Sequence, residues 1–97
     1  MDKESIFVIT TLKYGYDNTR TVGWYNFLEN AITAVENNFG DIHEGSNWYC
    51  VIEEIKPGIY SCPPVSEVWF KWIKIQERYV ECPKPDHLKR ICSFGIG

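Results

Sequence analysis

Four cysteines and two histidines are the side chains of this sequence best suited to metal binding or nucleophilic catalysis. They are Cys50, Cys62, Cys82, Cys92, His43 and His87. Zinc sites usually draw on closely spaced pairs such as C-x-x-C, whereas eleven, nineteen and nine residues separate the successive cysteines here. The spacing disfavours a metal site, and we predict a protein without a cofactor.

The cysteines also bear on the compartment. An even number would suit two disulfides in a secreted protein, but the first residues, Met-Asp-Lys-Glu-Ser, contain no apolar stretch of the signal-peptide type. No apolar run approaches the roughly 18 residues that cross a bilayer. We therefore expect free thiols, a cytoplasmic location and no membrane partner.

Catalytic chemistry has little support in the pattern. A nucleophilic site needs Cys or Ser beside a histidine that a carboxylate orients, and Asp86-His87 near Cys82 or Cys92 supplies these groups without a recognisable spacing. His43 falls in a predicted loop, where a solvated side chain is expected. We predict that the protein is not an enzyme.

The glutamates and glycines of the sequence also lack a pattern typical of a catalytic or phosphate-binding site. Glu53 and Glu54 stand in tandem in a predicted strand, so their side chains should face opposite sides, and we interpret them as residues that keep the strand soluble. No G-x-G-x-x-G or G-K-[ST] pattern precedes the predicted helix, because the sequence there is Val-Gly-Trp-Tyr at 22–25. Phosphate binding is therefore not expected.

The run Trp-Phe-Lys-Trp-Ile-Lys at 69–74 interleaves rings with cations, as binders of single-stranded nucleic acid require. The formal net charge of −3 opposes this reading. Residues 1–66 hold four bases against nine acids, whereas residues 67–97 hold six bases against four acids. A nucleic-acid partner is thus a third hypothesis, behind a protein partner and self-association.

One helix is expected among strands. Phe27, Leu28, Ala31, Ile32, Ala34, Val35 and Phe39 recur at spacings of three and four. This spacing predicts an amphipathic helix over 26–40, with Asn26 as N-cap, Glu29 completing a capping box and Gly40 as the left-handed C′ residue.

The rest of the sequence is rich in β-branched and aromatic residues that turn signals interrupt. It predicts strands at 5–14, 20–25, 47–55, 66–73 and 78–82, and one helical turn from Asp86 to Ile91. We expect a single α+β domain over 1–97, with the order β-β-α-β-β-β and the helix across one face of an antiparallel sheet of about five strands.

Such a sheet is wider than its helix. Five strands at about 4.8 Å spacing span roughly 20 Å, whereas one helix is about 10 Å across. Alternation gives both faces apolar side chains, so we expect an aromatic sheet face that the final segment, a second copy or a foreign protein covers. The candidate binding residues on this face are Trp24, Trp48, Trp69, Lys71, Trp72 and Arg78.

The chain also resembles small uncharacterised proteins of bacteria and their phages. The segments that carry the resemblance are 20–25, the helix 29–38, Val-Ile-Glu-Glu at 51–54, Trp-Phe-Lys-Trp at 69–72 and the closing Phe-Gly-Ile-Gly. Accessory proteins of phages and prophages often bind and inhibit a host protein, as anti-CRISPR and other anti-defence proteins do. The resemblance therefore implies a non-enzymatic inhibitor, and the alternatives are a homodimeric structural protein and a single-strand nucleic-acid binder.

Overall fold

A computed structural model describes residues 5–13, 19–57, 65–89 and 94. Its elements, in chain order, are β1 (Ile6–Leu12), β2 (Thr19–Tyr25), α1 (Leu28–Glu36), a 3-10 turn (Phe39–Asp41), β3 (Tyr49–Ile55), β4 (Ser66–Ile73), β5 (Arg78–Cys82) and a second 3-10 turn (Asp86–Leu88). The α+β class and the predicted element order are confirmed. The predicted bounds of β4 and β5 match the structure, whereas residue 14 of the predicted first strand and residues 90–91 of the predicted helical turn lie outside the described residues.

All five strands form one antiparallel sheet in the order β2-β1-β3-β4-β5. The central strand β3 pairs with β1 through Ile52 and Ile9, and with β4 through Val51 and Trp69. The pairing of β1 with β2 changes register between Ile9 and Thr10, which leaves one extra residue, Val22, on β2. Such a bulge increases the local twist of an edge strand.

Helix α1 is shorter than predicted. It begins after Phe27, whose backbone is extended and whose side chain makes no cap, so Asn26 is not the N-cap. It ends at Glu36 because Asn38 takes the left-handed conformation, with φ of 50°, before Gly40 is reached. The apolar stripe is real, but the residues from Asn37 onward belong to a loop.

The two faces of the sheet carry separate apolar cores. The core on the helix side contains Ile9, Ala31, Ala34, Val35, Cys50, Ile52, Phe70, Trp72 and Tyr79, and the core on the far side contains Leu12, Val51, Trp69, Leu88 and Phe94. The predicted alternation along β3 and β4 is therefore confirmed. None of the helices in the described part of the chain has the length and apolarity that a membrane span requires.

Candidate binding surface

The six predicted binding residues do not share one surface. Trp69 and Trp72 are separated by an odd number of positions, so they point to opposite faces, and they are only 3% and 9% exposed. Neither ring can form an open binding face in this structure, which corrects the expectation. Lys71 and Arg78 are exposed, as are Trp24 and Trp48.

Trp69 is covered by the protein's own chain. The Phe94 ring meets the Trp69 ring edge to face at 5.1 Å, and Leu88 belongs to the same core. The Trp69 Nε1–H donates to Glu67 Oε1 at 3.0 Å, and Lys84 Nζ lies 3.2 Å from the same oxygen. Leu88 and Phe94, which follow β5, thus cover Trp69, so of the three covers expected for an aromatic face it is the protein's own final segment that buries this ring.

Glu53 takes part in this closure. Its side chain is completely buried, and its Oε2 accepts a hydrogen bond from the Phe94 N–H at 3.0 Å. The expectation that Glu53 is a solvent-facing strand residue is therefore wrong. A buried carboxylate needs donors, and the backbone of the covering segment provides one of them.

His43 is also inside the fold. It is only 9% exposed, and its ring stacks on Trp72 with centroids 3.7 Å apart and planes 6° apart. Trp48 and Tyr79 meet it edge to face at 5.9 Å and 6.2 Å. We call His43, Trp48, Trp72 and Tyr79 the aromatic cluster. The burial of His43 corrects the expectation of a solvated loop histidine.

The α1–β3 loop, residues 37–48, places His43 in this cluster through its own hydrogen bonds. The His43 N–H donates to Asn38 Oδ1 at 3.0 Å, and the Asn47 N–H donates to the His43 carbonyl at 2.8 Å. The Tyr79 hydroxyl donates to the Asn47 carbonyl at 2.7 Å, which ties the loop to β5. Side-chain amides of this kind replace the regular hydrogen bonds that a loop lacks.

Burial shifts the pKa of two residues of the aromatic cluster and of two cysteines. Desolvation lowers the pKa of His43, although the carboxylate of Asp41 raises it by a smaller amount. Desolvation also raises the pKa of Tyr79 and of Cys50 far above neutral pH. The pKa of Cys82 is raised as well, chiefly by burial. The thiols of Cys50 and Cys82 are free and protonated near neutral pH, so they are poor nucleophiles.

An apolar cleft of about 130 Å³ lies along the edge strand β2. It is lined by Ile9, Val22, Gly23, Trp24, Tyr25, Ala34, Phe39 and Ile42. Val22 and Tyr25 pack against the helix-side core, whereas Trp24 pairs with Val8, so residues from both faces of β2 contribute. We call this feature the β2 cleft.

Two of its lining rings are open to solvent. Trp24 is 58% exposed on the edge strand β2, and Phe39 is 51% exposed beyond the end of α1. A second depression, of about 280 Å³, is lined by Ser5, Phe7, Asn26, Phe27 and Glu54. Three of these five residues carry polar side chains, whereas the β2 cleft is lined by apolar and aromatic residues and one glycine. The β2 cleft is therefore the better candidate for binding.

Carboxylates dominate the chain that builds the β2 cleft. Residues 19–47 contain four acids, Glu29, Glu36, Asp41 and Glu44, and one base, Arg20. Arg20 forms an ion pair with Glu44 through its guanidinium Nη1. The rest of this segment therefore has a negative net charge, and its Asp41 lies between the cleft residues Phe39 and Ile42 in sequence.

Comparisons with known proteins found no match to this chain. No family model matches the chain, and no curated protein or solved structure matches it. Among the described residues there is no group of three or more His, Cys, Asp or Glu side chains that could hold a metal ion.

Phe39 was not among the predicted binding residues, because its spacing places it in the apolar stripe of the helix. The signal was present, since two asparagines precede Phe39 and Gly40 follows it, and both residue types end helices. Trp24 stays a predicted binding residue, but the reason for the prediction is wrong, because Trp69 and Trp72 lie on opposite faces and cannot both share a face with it.

Proposed function

We propose that the protein is a non-enzymatic binding module whose partner protein docks at the β2 cleft. The observation that supports this is the pair of half-exposed rings, Trp24 and Phe39, beside an unfilled apolar cleft. Burying an aromatic side chain contributes on the order of 2 to 3 kcal/mol, and protein interfaces are enriched in such rings. Both rings retain apolar area that folding has left in contact with water.

The charges around the cleft define the chemistry of the partner. Asp41 is exposed and lies between the cleft residues Phe39 and Ile42 in sequence, and Arg20 is already paired with Glu44. A partner segment with an apolar side chain and flanking lysine or arginine residues would complement this surface in shape and sign. The occupant we propose is therefore a basic, apolar segment of another protein.

Site-specific crosslinking tests this proposal. A photo-reactive phenylalanine analogue would replace Phe39, and in the control protein it would replace Ile75, which is 95% exposed on the β4–β5 turn. We expect one protein from the native host to be crosslinked through position 39 and not through position 75. Equal yields at the two positions would contradict docking at the cleft.

Binding measurements with the crosslinked partner extend the test. Trp24→Ala and Phe39→Ala should each weaken binding about 30-fold or more if these rings are hot spots, whereas Ile75→Ala should not change it. The salt dependence should be moderate, because the complementary charges lie at the rim.

A homodimer is the competing use of the same surface. Light scattering on the purified protein distinguishes it, since a dimer that Phe39→Glu dissociates would place a second copy on the cleft and overturn the proposal of a foreign partner. The nucleic-acid hypothesis has lost its main support, because Trp69, Phe70 and Trp72 are buried and cannot stack on bases. Binding to a single-stranded oligonucleotide that weakens with salt would restore it.

The narrower proposal is an inhibitor of a host protein in the cytoplasm, of the phage or prophage accessory type and including anti-CRISPR and other anti-defence proteins. Its support is the resemblance in sequence, together with free thiols at Cys50 and Cys82 that suit a reducing compartment. Measuring the activity of the crosslinked host protein with and without this chain tests it. An unchanged activity at saturating concentration would leave a binding protein without inhibitory function.

A further inference from the structure

The Nε2 atom of His43 is a buried polar atom that makes no hydrogen bond. The ring lies between a parallel Trp72 face and the edges of Trp48 and Tyr79, and its accessible area is almost fully lost. An orphan ring nitrogen in an aromatic surrounding costs free energy without any evident gain in packing over a phenylalanine. Stability alone therefore does not explain a histidine at this position.

Few charged groups lie where they could stabilise the protonated form of His43. Asp41 and Glu44 come from its own loop and are exposed, and Glu44 already pairs with Arg20. Tyr79 on β5 and Cys50 on β3 stay neutral, and the other two rings against His43, Trp48 and Trp72, carry no charge, so that only the face of Trp72 attracts a cation. The carboxylate of Asp41 raises the pKa of His43, but burial lowers it by more.

His43 is directly coupled to the β2 cleft. Ile42, the preceding residue, and Phe39 both line the cleft. Asn38, next to Phe39, accepts the His43 N–H, while Asn47 donates to the His43 carbonyl. A movement of His43 out of the aromatic cluster therefore displaces the chain that forms one wall of the cleft.

We propose that His43 is a proton-sensitive latch, whose protonation releases the α1–β3 loop from the aromatic cluster and dismantles the Phe39–Ile42 wall of the β2 cleft. This inference rests on the proposed function for its biological use, since it makes partner binding dependent on pH. The latch itself is a property of the isolated protein. For each unit by which the closed loop lowers the pKa of His43, a pH below both pKa values favours opening tenfold.

Nuclear magnetic resonance of the isolated protein tests the latch. The imidazole signals of His43 and His87 would be followed between about pH 7.5 and pH 5, with His87→Asn used to assign them. We expect His43 to titrate below the ordinary histidine value of about 6.5, and the amide signals of Phe39 and Ile42 to shift with the same midpoint. A midpoint at or above 6.5, or amide signals that do not follow it, would overturn the proposal.

Matched variants separate the latch from general acid unfolding. His43→Phe keeps an aromatic ring against Trp72 but takes up no proton, so the amide signals of Phe39 and Ile42 should no longer titrate in this pH range. His43→Gln serves the same purpose if the phenylalanine variant does not fold. His87→Asn, at an exposed position, should leave the transition unchanged. A transition that persists in both His43 variants would assign it to another group.

Binding as a function of pH then distinguishes the two proposals. Wild-type protein should bind the crosslinked partner more weakly near pH 5.5 than near pH 7.5, by at most about tenfold, while His43→Phe should bind equally at both. Binding at the cleft that does not depend on pH would refute the latch and leave the proposed function standing. If the loop opens in acid but no partner is crosslinked, the proposed function is refuted and the latch stands.

Discussion

The two faces of the sheet are covered by different parts of the protein. Helix α1 and the loop that contains His43 cover the helix side, whereas Leu88 and Phe94, which follow β5, pack on the far side. The first cover follows a periodic sequence pattern. The second depends on a few anchors, above all the Trp69–Phe94 contact and the hydrogen bond from Phe94 to Glu53. The width of a sheet is thus a poor guide to exposure, because side chains outside helix α1, such as Leu88 and Phe94, also bury aromatic residues of the sheet.

The comparison also shows where neither cover is sufficient. At the β2 edge the helix has ended, the bulge twists the strand, and Trp24 and Phe39 remain half exposed beside an open cleft. This contrast suggests that the surface left for function is an edge of the sheet and not a face. The following predictions test it, beginning with the change of largest expected effect.

Phe70→Ala should be the most damaging of these changes. Phe70 is completely buried in the helix-side core, so removing its ring leaves a cavity and should lower the free energy of unfolding by about 3 to 5 kcal/mol. Urea denaturation measures this loss. Ile75→Ala, on an exposed turn, should stay within about 0.5 kcal/mol of wild type. A loss below about 1 kcal/mol for Phe70→Ala would show that this core is not tightly packed.

Phe94→Ala tests the cover of the far side. We expect a loss of about 2 to 4 kcal/mol, because the ring is buried against Trp69 and its removal leaves a gap beside the indole. Fluorine NMR on labelled tryptophan would show the Trp69 signal move toward that of a solvated indole while the other three signals stay in place. An unmoved Trp69 signal would mean that other chain covers this face.

Much of the fold could be predicted from local pattern. The strands β4 and β5 have their predicted bounds because alternating and β-branched residues are flanked by clear turn signals. The helix end was missed because the apolar stripe continues to Phe39 after the backbone has left the helix at Asn38. Periodicity reports which side chains are apolar, and a left-handed asparagine can end the helix inside the stripe.

The site was less predictable, because it depends on contacts between distant segments. Nothing local to Glu53 shows that Phe94 will donate to it from 41 residues away. Similarly, a histidine between Ile42 and Glu44 in a polar loop has the local pattern of a solvated residue, and only the packing of β4 and β5 around it creates the aromatic cluster. Burial of single polar residues is a tertiary property.

Acid should destabilise the protein through His43. The pKa of His43 is lower in the folded protein than in the unfolded chain, so the unfolded state binds the proton more readily, and stability falls as the pH drops below about 6.5. Each unit of difference contributes about 1.4 kcal/mol at a pH below both pKa values. Urea unfolding of wild type and His43→Phe at a series of pH values measures this. The variant should lose less stability between pH 7 and the pH at which carboxylates begin to titrate, and parallel curves would exclude His43 as the cause.

Phe39→Ala should have the smallest effect on stability and the most specific effect on function. The ring is half exposed and lies in a loop, so its removal should change the free energy of unfolding by less than about 1 kcal/mol. Partner binding at the β2 cleft should nevertheless weaken about 30-fold or more, since the same ring forms part of the cleft wall. This separation is the reverse of what Phe70→Ala should show, where the fold is lost and binding with it. If Phe39→Ala instead destabilises the protein as much as Phe94→Ala does, the ring belongs to a third structural cover, and the sheet edge has no surface reserved for a partner.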